Sequence, residues 1–111
     1  MILSLFLVVP GFFGYKGYKI SSGSMRPVIN KGDFIYVKQV KPDSLKQDDI
    51  ITFYQPGGNA IITHRVSRND IKNKLVYTIG DQNDKEDPQP VSYEDILGIY
   101  TNYKIPFLGG V

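Results

Sequence analysis

From residue 33 onward the chain is written in short runs whose apolar residues alternate with polar ones. Each run is cut off by glycine, proline, asparagine or aspartate. A period of two is the pattern of strands, and runs this short leave no room for an amphipathic helix of ordinary length. In "DFIYVKQV", Ile35 and Val37 fall on one face and Phe34, Tyr36 and Val40 on the other, so both faces are expected to be partly buried. "IITFYQ", the turn "PGGN" and "AIITHRVS" read as a hairpin over residues 50–67, "RNDIKNK" as a polar turn, and "LVYTIG" and "LGIYTNYKI" as further strands. "VSYEDI" reads as one turn of helix, with Ser92 as its cap and Asp95 three residues on. The expected architecture is mostly β: a small antiparallel barrel or folded sheet with little helix.

Composition narrows the chemistry. The 111 residues suffice for one domain with a modest core. The net charge of +2, with basic residues scattered along the chain, gives no footprint for nucleic acid, and none is expected as a partner. With no cysteine there is no disulfide, thiol nucleophile or zinc–thiolate site, and with one histidine no multi-histidine metal centre. No cofactor is expected. Eight tyrosines and six phenylalanines favour sheet.

The first residues differ from the rest. "MILSLFLVV" is apolar apart from Ser4, and Pro10 and Gly11 end it well short of the roughly 20 residues that span a bilayer. Phe12, Phe13, Tyr15 and Tyr18, followed by lysines, have the composition of an interfacial belt. Residues 1–15 are expected to be a partial membrane anchor or interfacial segment, residues 16–105 the β domain that carries any chemistry, and residues 106–111 the start of a second apolar segment.

Three places carry reactive groups. "SSGSMRP", residues 21–27, is a corner in which Gly23 allows close approach, Met25 offers an apolar anchor and Pro27 fixes the exit. Ser24 there is a nucleophile only if a base removes its proton. His64, mid-strand with Ala60, Ile62 and Val66 on its face, supplies an imidazole that is largely neutral near pH 7. A lone strand histidine is also commonly a structural one bonded to a backbone carbonyl. "GDQNDKEDPQP" crowds Asp81, Asp84, Glu86 and Asp87 into one loop. It suits a solvated acidic turn, or a carboxylate that orients His64; the spacing of an EF-hand calcium loop is absent.

Taken in order, "SGSMRP", "GDFIYV", "DDIITF", "HR" and "GDQNDKED" resemble the type I signal peptidases, over roughly residues 16–105. The histidine in "THRV" resembles the branch that uses histidine, in place of lysine, as general base. The resemblance implies Ser24 as nucleophile, His64 as base and Ser22 as an oxyanion contributor with the Ser24 amide. Asp87, six beyond Asp81, is implied as the orienting acid, with Asp81 as second candidate or structural partner. Ile20 and Ile62 are expected to line shallow pockets for small substrate side chains. "KGYKISS" and "AIITH" are the expected edges for holding an extended peptide. The chain departs from the pattern at Val28, where threonine is more usual, at "QDDI" in place of "GDI", and at Gln82 in place of asparagine.

The implied function is a membrane-anchored serine endopeptidase, facing the extracytoplasmic or lumenal side, that removes signal peptides from precursor proteins at a lipid surface. Two other classes fit parts of the pattern: a self-cleaving repressor-type serine peptidase with a lysine base, and a non-catalytic β module that binds peptide.

Overall fold

The computed structural model describes residues 14–106, and the expectations for residues 1–13 and 107–111 lie outside them. Seven strands form one antiparallel sheet: β1 Tyr15–Lys19, β2 Phe34–Lys38, β3 Ile50–Tyr54, β4 Ile61–Asp70, β5 Leu75–Ile79, β6 Val91–Ser92 and β7 Ile96–Ile105. Their order across the sheet is β1-β2-β7-β3-β4-β5-β6, and the sheet curls into a half-barrel. The expected class, mostly β and antiparallel with little helix, is what the chain adopts.

The alternation read from the sequence sets the faces. In β2, Ile35 and Val37 are fully buried, Phe34 and Tyr36 half-buried and Lys38 exposed. Two apolar clusters fill the curl. One joins Ile20, Met25 and Ile29 to Ile35, Val37 and Ile50; the other gathers Leu45, Ile51, Phe53, Val66, Val76 and Val91. Burying a side chain such as Met25 or Phe53 is worth about 1.5–3 kcal/mol, so both clusters are needed to hold a sheet of this size.

Several boundaries differ from the expectation. Residues 15–19 form a strand paired with β2, from Tyr15 opposite Lys38 to Lys19 opposite Phe34. The polar run after Val66 does not turn at once. β4 continues to Asp70 because a bulge between Val66 and Arg68 lets it keep pairing with β5. The turn at residues 93–95 is a single 3₁₀ turn, Tyr93–Asp95. Ser92 stands at its cap position without a side-chain bond, so the expected capping box is not formed. Three residues are too few to leave the inner amide that such a box would satisfy.

Two features of the topology matter for a site. β4 pairs with β3 from Ile61 to Arg65, but with β5 only from Arg65 onward. Residues 61–64 therefore have a strand on one side alone. β1 is the outer strand at the far edge of the sheet.

Candidate active site

The run "SSGSMRP" is anchored by its methionine. Met25 is 1% exposed and sits in the first apolar cluster. The backbone folds tightly around it: the Arg26 amide donates to the Gly23 carbonyl at 3.1 Å and the Ile29 amide to the Met25 carbonyl at 3.0 Å. The apolar side chain between a serine and an arginine thus pins a polar corner to the core, leaving Ser24 partly exposed.

Strand alternation turns His64 toward that corner. The Ser24 hydroxyl lies 3.0 Å from His64 Nε2, although the two residues are 40 positions apart. On the other side of the ring, Nδ1 lies 2.6 Å from Asp87 Oδ2. An ionised carboxylate only accepts, so Nδ1 carries the proton and Nε2 presents its lone pair to the Ser24 hydroxyl. The imidazole is 9% exposed and packs edge-on to Phe53, with ring centroids 6.3 Å apart. It is therefore held by a hydroxyl and a carboxylate, and its bonds are not those of a histidine satisfied by a backbone carbonyl.

Asp87 is itself held. Its amide donates to the Thr78 carbonyl at 2.7 Å, and the buried Thr78 hydroxyl donates to Oδ2 at 2.7 Å. Asp81 does not reach the imidazole. It accepts a forked pair from Arg65, Nε to Oδ1 and Nη2 to Oδ2, both at 2.8 Å. That hydrogen bond raises the Arg65 pKa above its ordinary value, against the opposing effect of partial burial. The two acids left open by the sequence are thus separated by geometry: Asp87 touches His64, and Asp81 touches the residue after it.

Ser22 stands beside Ser24. The two hydroxyl oxygens are 3.1 Å apart, and the Ser24 amide donates to Ser22 Oγ across a long 3.4 Å. With the Ser24 proton directed at Nε2, the Ser22 hydroxyl is the donor of that pair. Gly80, which closes β5, lies against the same centre. A Cβ there would stand 3.1 Å from both His64 Nε2 and Ser24 Cβ, tighter than ordinary packing allows.

A cleft of about 300 Å³ opens beside the imidazole, with Phe53, Ile62 and Pro88 among its walls and His64, Thr78 and Asp87 at its polar end. Ile62 borders this cleft; Ile20 belongs to the core cluster beneath the Ser24 corner. Thr78 and Arg65 were not legible as parts of the site, and Gly80 was legible only as the turn that ends the strand "LVYTI". Thr78 is recognisable only as a polar residue on a buried strand face, which is by itself a weak signal. No lysine hydrogen-bonds Ser24 among the described residues, and no cluster there has the makings of a metal site.

This arrangement coincides with the outcome of comparison with known proteins. The chain is 38% identical over 102 residues to signal peptidase I W of Bacillus subtilis, covering 87% of this chain and 52% of that protein. It is 30% identical over 102 residues to the signal peptidase complex catalytic subunit SEC11 of Lodderomyces elongisporus (83% and 60% covered). To the human catalytic subunit SEC11C it is 28% identical over 105 residues (83% and 53% covered). The chain thus spans between half and two thirds of the length of these relatives. No solved structure gives a significant match. A family profile described as "Signal peptidase, peptidase S26" matches residues 1–76, more than half of the chain, and so the chain belongs to the type I signal peptidases.

Proposed function

We propose that this protein is a serine endopeptidase that removes signal peptides from precursor proteins through an acyl-enzyme. The observation that carries the reading is the continuous chain Ser24–His64–Asp87, with contacts of 3.0 and 2.6 Å. In this reading Ser24 Oγ bonds to the scissile carbonyl carbon as its proton passes to His64 Nε2. The oxyanion is met by the Ser24 amide and the Ser22 hydroxyl. The C–N bond then breaks, and the proton on Nε2 goes to the leaving amine. A water molecule, deprotonated by the same nitrogen, cleaves the ester and regenerates Ser24. Asp87 keeps the ring in the tautomer that accepts at Nε2 and balances the imidazolium.

The substrate is an extended peptide. β1 and residues 61–64 offer backbone groups on an open side, the geometry for adding a strand. Ile62 supports a shallow apolar pocket next to His64. The chain acts on the extracytoplasmic or lumenal side at a lipid surface, which suits precursors whose apolar leader is still embedded. In support, the apolar run "MILSLFLVV" precedes the first strand in the sequence. No helix among the described residues is long and apolar enough to cross a membrane. A repressor-type peptidase with a lysine base, or a β module without catalysis, is not favoured by the family match.

The test is cleavage of a leader-bearing precursor by the wild-type protein and by Ser24→Ala and His64→Ala. Each substitution is expected to lower turnover by a thousandfold or more, at roughly the scale seen when members of such units are removed, while the circular dichroism of the sheet persists. Processing that survives in Ser24→Ala would overturn Ser24 as nucleophile, and a wild type that binds the precursor without cleaving it would leave only the binding module.

A further inference from the structure

Gln82, the residue that departs from the family pattern in "GDQND", does not face solvent idly. Its amide donates to the Ser24 carbonyl at 2.8 Å, and its side-chain Nε2 donates to the Arg26 carbonyl at 2.6 Å. One residue before it, the Asp81 amide approaches Met25 Sδ at 3.4 Å. One earlier still, Gly80 comes so near that an added Cβ would lie 3.1 Å from Ser24 Cβ. Residues 80–82 are therefore laid against residues 24–26, one against one, across 56 positions of sequence.

The two segments belong to different parts of the site. Residues 24–26 carry the hydroxyl; the loop that starts at Gly80 carries Asp87, which orients the imidazole. Without a link to that loop, the Ser24–His64 distance depends on two loops moving independently. We propose that Gln82 is a positioning residue that fixes the Ser24 corner to the acidic loop, its longer side chain reaching the Arg26 carbonyl where an asparagine would fall about one methylene short. The proposal rests on the reading of Ser24 as nucleophile. It assigns Gln82 no contact with substrate: it acts through the backbone of the corner. A hydroxyl held by two backbone tethers stays within the few tenths of an ångström that attack geometry tolerates. Losing one tether widens that range without unfolding anything, because Gln82 is exposed and lies outside both apolar clusters.

The experiment measures kcat and KM on a leader-bearing precursor for the wild type, Gln82→Ala, Gln82→Glu and Gln82→Asn. Thermal midpoints and hydrogen exchange of the residue-82 amide are followed in the same proteins. Gln82→Ala is expected to lower kcat by about three- to tenfold, the scale of one lost hydrogen bond, with KM within about twofold and a thermal midpoint within about 2 °C. Exchange of the amide that donates to Ser24 is expected to speed up. Gln82→Glu, equal in length but with no side-chain N–H at neutral pH, and Gln82→Asn, one methylene short of the Arg26 carbonyl, are both expected to match Gln82→Ala. Unchanged kcat in Gln82→Ala, full activity in Gln82→Glu, or a rise in KM at constant kcat would each overturn the proposal. Failure of the nucleophile reading shows elsewhere, as turnover surviving in Ser24→Ala.

Discussion

At the scale of single residues, the division of labour between two acids in one loop is the sharpest consequence of the geometry. Asp87 bonds the imidazole and Asp81 bonds Arg65. Asp87→Asn is therefore expected to lower kcat by about 10²–10⁴, because an amide at that position permits the wrong tautomer, with little change in stability. Asp81→Asn is expected to act on stability, by about 1–3 kcal/mol as the forked pair with the partly buried Arg65 is lost. Its loss of activity should track the folded fraction on warming. Kinetics and thermal unfolding of both variants together check this, and equal kinetic defects at full folding would refute the division. The reactive residue types were legible in the sequence, since one histidine and one serine corner left few choices. Which acid meets the imidazole was not, because loop residues obey no period and the outcome depends on where the turn after Gly80 places each side chain. The departure "QDDI" has a local reason. Asp48 has φ of +80°, a left-handed backbone that glycine adopts freely and aspartate tolerates better than most residues. Its amide bonds the Val66 carbonyl and its own carbonyl accepts Arg65 Nη1.

At the scale of elements, the alternation of apolar residues placed β2 to β5 and β7 well, because each has one face on a cluster and a register that a one-residue slip would invert. β1 overlaps the edge expected over "KGYKISS", but its bounds were not legible because its Tyr-Lys-Gly pattern carries little apolar contrast and its pairing is decided by β2. Two glycines show how closely the strands pack. A Cβ at Gly98 would lie 2.7 Å from the Lys38 carbonyl oxygen, whereas one at Gly17 would meet the Phe34 ring at 2.4 Å. Backbone in the middle of the sheet cannot move aside, while a half-exposed ring can turn away. Gly98→Ala is thus expected to destabilise by about 2–3 kcal/mol and Gly17→Ala by clearly less, even though its nominal overlap is the closer one. Chemical denaturation of the two variants measures the difference, and the reverse order would show that the β2–β7 contact is looser than described.

At the scale of the whole molecule, the site is assembled from distant parts of the chain that the sheet brings to one place. The Ser24 corner is fastened on three sides: to the core through Met25, to the acidic loop through residues 80–82, and to the last strand through Lys104. That lysine donates to the Val28 carbonyl and to Asp33 Oδ2, each at 3.0 Å, and Asp33 is 2% exposed. Asp33 Oδ2 also accepts the Asn30 amide, closing the loop that follows the corner. Removing this cation from a buried carboxylate is costly. Lys104→Met is expected to destabilise by about 2–4 kcal/mol, with Asp33→Asn in the same chain recovering part of it. Calorimetry on the single and double variants tests the coupling, and strictly additive losses would argue against it. The central claim, that Ser24 passes its proton to His64, has a clean test because the chain contains no cysteine. In Ser24→Cys the introduced thiol is the only one, and its alkylation by iodoacetamide at neutral pH reports thiolate formed beside the imidazole. The account predicts that adding His64→Ala slows this alkylation by tenfold or more. Equal rates with and without the imidazole would contradict it.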